Sequence, residues 1–346
     1  MIPIIIVNWN GYEDTVECVD SVFLSLDTDY HLHIIDNNSN NNEGPRLSEL
    51  YLADERVTVH LYEENYGFTG AHIRIWQDVL RHEDYRYLFL LNNDTTVDQK
   101  WLGNLMSFVE QKKCHIVSTK MIQYFDPELM DNAGHMMLNT GEILPIGHGE
   151  SIDLYNESFK NLGACGGAVL YSTEMIHKIG FFDPHFSTGY EDAELGVRAA
   201  VAGYECWYCP EAIIYHKGGQ SIKKIFNEDY SVSIFSHILY SYFKNLKWSD
   251  ILINTPFLLS RFVIIMFIDV LCRRWSYLRV LYRAIGQTYA LRKKIRSKRA
   301  AITYRRGSIL GQMKFFLWTD IKRFSRIYID KKDSAMDSYG KSELIA

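Results

Sequence analysis

The 346-residue chain lacks most of the features that would place it in a class at a glance. Its six cysteines have no regular spacing, which excludes a disulfide framework. Cys206 and Cys209 form one C-x-x-C, but no second pair and no histidine pair follows at zinc-site spacing. Within the apolar run Cys206-Trp207-Tyr208-Cys209 they read as reduced thiols buried in a short strand, and a cytosol-facing protein follows. No basic leader or small-residue cleavage site precedes Ile2-Pro3-Ile4-Ile5-Ile6-Val7, so that segment reads as a strand and not a signal peptide. Internal repeats and low-complexity tracts are missing. So is a G-x-G-x-x-G after the first strand: Asn8-Trp9-Asn10-Gly11 stands there instead, which argues against a dinucleotide-dependent oxidoreductase. The same loop is neither Gly-rich nor basic, which argues against a nucleotidyltransferase that makes sugar donors.

Basic charge is scarce in the first part of the chain and abundant in the rest. Residues 1–216 carry 12 Lys and Arg against 33 Asp and Glu, a net −21. Residues 217–346 carry 25 against 9, a net +16, and the two together give the overall −5. Such asymmetry marks two parts with different partners. The acidic part suits a metal site; the basic part suits anionic lipid or nucleic acid.

The acidic part alternates strand-like apolar runs with helical patterns. Ile4–Asn8 is a β-branched strand, and Val16, Val19, Val22, Phe23 and Leu26 recur at helical spacing. Further strands are expected at His31–Ile35, Val57–Tyr62 and Tyr87–Leu91, with helices around Pro45–Ala53, Phe68–His82 and Lys100–Lys112. This order predicts an α/β fold with a parallel, doubly wound sheet. Ligands of such sheets bind beyond the carboxyl ends of the strands, where Asn8, Asp36 and Asn92-Asn93-Asp94 all fall.

Four constellations at that rim can carry chemistry. Asp36, ending the second strand, can accept the imide N–H of uracil or thymine. Asp94, after two strand leucines and two asparagines, can hold Mg²⁺ or Mn²⁺, whose oxygen-rich shells also bridge phosphates. Glu191-Asp192 opens a helix, where the macrodipole favours acids; Asp192 can serve as a general base. His216 closes a strand before Gly218-Gly219 and can add a nitrogen ligand to the same metal. The stretch Gly163-Ala164-Cys165-Gly166-Gly167-Ala168 allows close approach to backbone. Taken singly, each is explained as well by a helix cap, a turn or a structural histidine. Their joint order is what carries the argument.

That order resembles the family 2 glycosyltransferases of the GT-A fold, and within them a rhamnosyltransferase-like branch. The segments that carry the resemblance are IIIVNWNGYEDTVECVDSV, IIDNNSN, ENYGFTG, LFLLNNDTTVDQKWL, GACGGAVLYSTEMIHKIGFFDPHF, GYEDAELGVRAAVAGYE and PEAIIYHKGG, across most of residues 2–219. The resemblance implies a GT-A nucleotide-diphospho-sugar transferase fold, a Rossmann-like mixed sheet, with a C-terminal helical extension. It implies Asp36 at the nucleobase and Asn8 lining the nucleotide site. Asn92, Asn93 and Asp94 stand at the D-x-D motif, with Asp94 on the metal. Gly166 and Gly167 border the donor and acceptor sugars. Asp192 is implied as the base, Glu191 as orienting the acceptor, and His216 as the late metal ligand. Two departures stand out. Asn92 replaces the usual first Asp of D-x-D, so metal affinity leans on His216. Gly70-Ala71-His72 replaces the common Gly-Gly-Asn, so donor contacts near His72 are expected to differ.

The expected organisation is a catalytic domain over 1–220, a basic helical region over 221–330 and a polar disordered tail over 331–346. Ile251–Cys272 is apolar over roughly the length of a bilayer span, but Asn254, Pro256, Arg261 and Asp269 interrupt it. An interfacial or re-entrant helix is therefore expected rather than a full span. Arg273-Arg274 and the run Arg292–Arg299 would meet anionic headgroups. The expected protein is a peripheral enzyme on the cytoplasmic face of a membrane. It uses Mg²⁺ or Mn²⁺ to move a sugar from a UDP or dTDP donor, such as dTDP-rhamnose, to a glycan or lipid-linked acceptor in cell-surface polysaccharide synthesis, with no nucleic acid partner. The alternatives are a basic subdomain packed on a partner protein, and a catalytically degenerate GT-A domain acting as a membrane-bound scaffold.

Overall fold

The computed structural model describes residues 1–26, 29–186, 189–218, 228–271 and 275–317. Arg273-Arg274, Gly219 and the expected disordered tail lie outside the described residues. The chain divides into two compact units. One comprises Met1–His135 with Pro145–Gly219, and the other Met136–Leu144 with Gln220–Ala346. The short excursion of 136–144 into the second unit has no counterpart among the sequence expectations.

The first unit opens with β1 (Ile2–Asn8), α1 (Tyr12–Phe23), β2 (Tyr30–Asp36), α2 (Glu43–Leu50), β3 (Val57–Leu61) and α3 (Gly67–Asp78). It continues with β4 (Tyr87–Asn92), β5 (Thr95–Val97), α4 (Trp101–Lys112), β6 (Ile116–Gln123) and β7 (Met130–Asn132). The strands β8 (His135–Leu138) and β9 (Ile143–Pro145) follow, then β10 (Lys160–Asn161), β11 (Ala168–Ser172), α5 (Thr173–Ile179), α6 (Glu191–Ala202) and β12 (Cys206–His216). The main sheet has the order β10-β12-β6-β11-β4-β1-β2-β3. Ile4, Ile5 and Ile6 are fully buried, as expected for a central parallel strand covered on both faces. On one face, Cys18, Val19 and Val22 of α1 and Trp101 and Leu105 of α4 pack on Ile4, Ile6, Leu32 and Phe89. On the other, an aromatic group of Trp76, Tyr171, Phe181 and Phe182 joins α3 to β11.

The sheet is mixed, as the family resemblance implied, and the parallel sheet read from element order alone is corrected at β11. This strand runs antiparallel to both of its neighbours, β4 and β6, while β1, β2, β3 and β4 are parallel, as are β6 and β12. The reversal has a functional consequence. It brings the start of β11, Gly166-Gly167-Ala168, to the edge where the other strands end. Cys206 and Cys209 lie buried and free in β12, as expected.

Three histidines line one face at the β2–β3 edge. The His33 Nδ1 and His60 Nε2 atoms are 3.1 Å apart, and the His31 ring lies 4.9 Å from that of His33. Burial, then His60 and His31, push His33 down to about 3, and burial pushes His72 down to about 4. An unfolded histidine takes up its proton near pH 6.5, so between that pH and the folded values the unfolded state binds more protons. Stability is therefore full above about pH 6.5 and falls by ~1.4 kcal/mol per pH unit for each group as the pH drops below it. The raised Glu191 carboxyl changes stability in the opposite sense over this range, so the histidines are isolated by difference. His33→Leu should remove about half of the slope that these two histidines contribute, read as the change in Tm between pH 7 and pH 4.5 against the native protein. An identical change in both proteins would contradict the burial of a neutral His33 imidazole.

The second unit is helical: α7 (Glu228–Asn245), α8 (Trp248–Leu271), α9 (Trp275–Ala290) and α10 (Arg292–Ala300), followed by β13 (Met313–Lys314). β13 pairs with β8, which pairs with β9 in a small sheet. Arg299 Nη1 donates to the carbonyls of Phe243, Lys244 and Leu246, closing the orphan acceptors at the end of α7. Among the described residues no helix is long and apolar enough to cross a membrane.

Candidate active site

The site grows from the loops at the carboxyl ends of β1, β2, β4 and β12. Asn8, the last residue of β1, is fully buried and acts as a hub. Its Nδ2 donates to Asp36 Oδ1 (2.9 Å), Ser39 Oγ (3.1 Å) and Glu43 Oε2 (3.0 Å). Two amide hydrogens serve three acceptors, so the group is rigidly oriented. Asp36 Oδ2 also accepts from Ser39 N–H at 3.2 Å. Glu43 Oε2 accepts from Gly11 N–H at 3.0 Å. A Cβ on Gly44 would stand 2.7 Å from Asp36 Oδ2, so only glycine lets α2 begin this close to the carboxylate.

The network continues across the sheet. Thr15 Oγ1 lies 2.9 Å from both Asn8 Oδ1 and the Gly11 carbonyl, and it accepts from Asn93 Nδ2 at 3.0 Å. Asn93 thereby ties the end of β4 to the β1–α1 loop. The next residue, Asp94, faces His216: Asp94 Oδ1 and His216 Nε2 are 3.3 Å apart. The segment that carries His216 is knitted in place, since Lys217 N–H donates to the Asp94 carbonyl and Tyr124 N–H to the His216 carbonyl. Lys217 Nζ reaches Asp14 Oδ1 at 2.5 Å and Glu17 Oε2 at 2.6 Å on α1.

On the far side of the His216 ring, Nδ1 pairs with Asp131 Oδ2 at 2.8 Å. Burial opposes charge on His216, but hydrogen bonds and charge from Asp131 and Asp94 outweigh it and push the ring up to about 10. Burial likewise works against the Asp131 carboxylate, yet hydrogen bonds from His148 and His216 hold it well below the usual range. The donor set fits a divalent cation. A carboxylate oxygen and an imidazole nitrogen face one another, and a second carboxylate fixes the tautomer and orientation of the ring. Among the described residues no group of three His, Cys, Asp or Glu side chains is placed to hold a metal ion by itself. Two protein ligands suit an ion that completes its shell with phosphate oxygens and water.

The Glu191-Asp192 pair reaches the same rim through α6. Tyr190, with φ of 77°, turns the chain into the helix from a left-handed conformation that a bulky residue adopts only under constraint. Asp192 Oδ2 accepts from Gly166 N–H at 2.7 Å. Gly166 is followed by Gly167, whose carbonyl accepts from Asn92 N–H at 2.8 Å. A Cβ on Gly167 would stand 3.0 Å from Asn92 Nδ2. Asp192, Gly166, Gly167 and Asn92 therefore form one contiguous stretch of the rim, two residues from Asp94. Glu191 is buried, with Oε2 lacking a hydrogen-bond partner. Burial and the neighbouring Asp192 push it up to about 8. At neutral pH Glu191 therefore keeps its proton. A pair of carboxyls held apart in this way is a recurrent acid–base arrangement.

All ten of the site residues read from the sequence lie along this rim. Two further readings change. His72 is turned inward, 2 % exposed, its Nδ1 donating to the Phe68 carbonyl at 2.8 Å beside Phe182; it belongs to the core and not to the donor rim. Gly163 packs against α6: a Cβ on Gly196 would lie 2.9 Å from the Gly163 Cα, so this pair is a close helix–backbone contact that seats α6. Three residues escaped the sequence reading: Thr15, Glu43 and Asp131. Thr15 and Glu43 sit in helices next to motif loops, and proximity to Asn8 and Asp36 was the available signal. Asp131 lies in the three-residue strand β7, whose pairing with β6 nothing local foretells.

The model of glycosyl transferase family 2 matches residues 4–180, just over half of the chain. The chain belongs to glycosyl transferase family 2. Among solved structures of similar fold is residues 1–349 of S. aureus TarS in complex with UDP-GlcNAc, at 14 % identity and a TM-score of 0.57, covering 87 % of this chain and 90 % of that one. Another is GalNAc-T7 with UDP, GalNAc and Mn²⁺, at 16 % identity and a TM-score of 0.54, covering 70 % of this chain. The match spans 50 % of the GalNAc-T7 chain. No curated protein matches. The mixed sheet and these neighbours show that the family 2 chain has the GT-A fold.

Proposed function

We propose that this family 2 enzyme transfers a sugar from a nucleoside-diphosphate donor with inversion, using the rim from Asp36 to Asp192. The observation that carries the reading is the continuous polar chain Asp36–Asn8–Thr15–Asn93, which runs into Asp94 and His216. It joins a base-recognising carboxylate to a cation site along one edge. Asp36, oriented by Asn8 and Ser39, accepts the imide N–H of the base. Asp94 and His216 would hold Mg²⁺ or Mn²⁺, which when bound would supply positive charge at the departing diphosphate. Asp192, aimed by the Gly166 N–H, takes the proton of the acceptor hydroxyl. The acceptor oxygen then bonds to the anomeric carbon from the face opposite the nucleotide, and the old C–O bond leaves with its electron pair on the diphosphate. Protonated Glu191 donates a hydrogen bond that orients the acceptor. Gly166 and Gly167 keep the reacting sugar close to backbone.

The complexes of TarS with UDP-GlcNAc and of GalNAc-T7 with UDP and Mn²⁺ support a UDP-type donor and a divalent ion, with dTDP-sugars such as dTDP-rhamnose as the other donors to test. The acceptor is a glycan or lipid-linked glycan of surface polysaccharide synthesis, met at the cytoplasmic face of a membrane. A panel of UDP-, GDP- and dTDP-sugars, assayed for nucleotide release with Mg²⁺ and with Mn²⁺, tests the reading. Turnover of one donor class supports it; no binding or release with any donor favours a scaffold.

Gly44→Ala provides a sharper check on the base site. The added methyl meets Asp36 and Leu61 Cδ2 at 2.7–2.8 Å, so the carboxylate must move. Donor affinity measured by calorimetry is expected to fall about ten- to a hundredfold. Unchanged affinity would remove Asp36 from base recognition.

A further inference from the structure

Helix α8 is turned inside out. Three of its strongly polar side chains are buried: Asp250 is 0 % exposed, Asn254 3 % and Arg261 6 %. Each is used within the second unit. Asp250 Oδ2 accepts from Ile309 N–H at 2.9 Å, Asn254 Nδ2 lies 3.1 Å from Met313 Sδ, and Arg261 pairs with Glu142 at 2.5 Å. Its large apolar side chains point outward. Leu252, Ile253, Leu259, Val263, Phe267 and Val270 are each at least half exposed. At 100° per residue they fall within about a third of the helix circumference. A surface helix in water shows the opposite pattern.

We infer that this face lies in the plane of an anionic phospholipid bilayer, with its apolar side chains in the acyl region and α10 on the headgroups. Three observations favour lipid as the occupant. The run Arg292–Ala300 carries six basic and no acidic residues, and Arg292, Lys293, Lys294 and Arg296 are exposed. That charge is complementary to anionic headgroups, at about 1 kcal/mol per residue near the surface. The basic helix adjoins the start of the apolar face, because the Arg299 guanidinium sits 4.2 Å over the exposed ring of Trp248. The hydroxyls near the face are satisfied internally: Thr255 donates to the Ile251 carbonyl and Ser260 to that of Phe257. Such self-sufficiency suits hydrocarbon, whereas a protein partner would find few polar groups to recognise. The 24 residues of α8 extend ~36 Å, and with no described helix apolar enough to cross, the in-plane arrangement follows. The exposed aromatic rings of Tyr282 and Tyr289 on α9 suit the headgroup level.

The inference stands on the second unit alone and is independent of the catalytic reading. It is tested by flotation of the full chain with phosphatidylcholine vesicles, and with vesicles in which about a third of the lipid is phosphatidylglycerol. Binding at least about tenfold stronger to the anionic vesicles is expected. The double substitution Val263→Asp and Phe267→Asp should abolish it, while donor hydrolysis in detergent-free solution stays unchanged. Lys293→Glu with Arg296→Glu should erase the preference for anionic vesicles. No binding to either vesicle overturns the proposal. So does vesicle binding untouched by both pairs, a dimer that Val263→Asp and Phe267→Asp convert to monomer, or co-sedimentation with RNA in place of lipid.

Discussion

Asp192→Asn is expected to lower turnover by ~10²–10⁴-fold, the range for loss of a general base, with little change in donor affinity. The amide is isosteric, and its oxygen can still accept from Gly166 N–H, which lies 2.7 Å from Asp192 Oδ2. The rim should therefore keep its shape, and the lost function is proton acceptance alone. Glu191→Gln separates the pair. Burial and Asp192 already hold Glu191 protonated at neutral pH, so its amide should cost much less in turnover than Asp192→Asn and act mainly on acceptor KM. Nucleotide release and acceptor product, measured together, check both. Full activity in Asp192→Asn would reassign the base, and equal losses in the two variants would show that the carboxyls act as one unit.

The second large effect concerns the cation. EDTA should silence transfer, and Mg²⁺ or Mn²⁺ should restore it. His216→Ala removes one of two protein ligands and leaves Asp131 with only the His148 ring nitrogen beside it, so activity at a fixed metal concentration should drop ~10²–10³-fold. Asp131→Asn is the more diagnostic change. It keeps both ligands but loosens the ring whose Nδ1 sits 2.8 Å from Asp131 Oδ2. Losses of such supporting groups are about 10–100-fold in metal affinity. The metal concentration for half-maximal activity should rise accordingly, with turnover at saturating metal largely recovered. Activity indifferent to EDTA and to His216→Ala would remove the cation from the reading.

Much of the first unit was legible because strands covered on both faces must be continuously apolar. Ile4–Asn8, Tyr87–Leu91 and their fellows appear at the expected places, and polar residues that end such runs can only lie at the rim. The antiparallel course of β11 was not legible. Ala168–Ser172 is apolar in either direction, and strand direction depends on the connection rather than on the residues. The depth of His72 beside Phe68 and Phe182 was not legible either, because it is set by helix packing.

By itself, the sequence determined the family, the order of the rim residues and the division of charge at about residue 216, because these are properties of composition and local spacing. Only the tertiary structure decided which groups meet. Glu43 and Thr15 came to share Asn8, and Asp131 came to hold His216 from 85 residues away. Asp250 and Arg261 turned inward while Val263 and Phe267 turned out. Each of these depends on contacts between segments far apart in the chain, and no local periodicity encodes which distant partner will satisfy a buried charge.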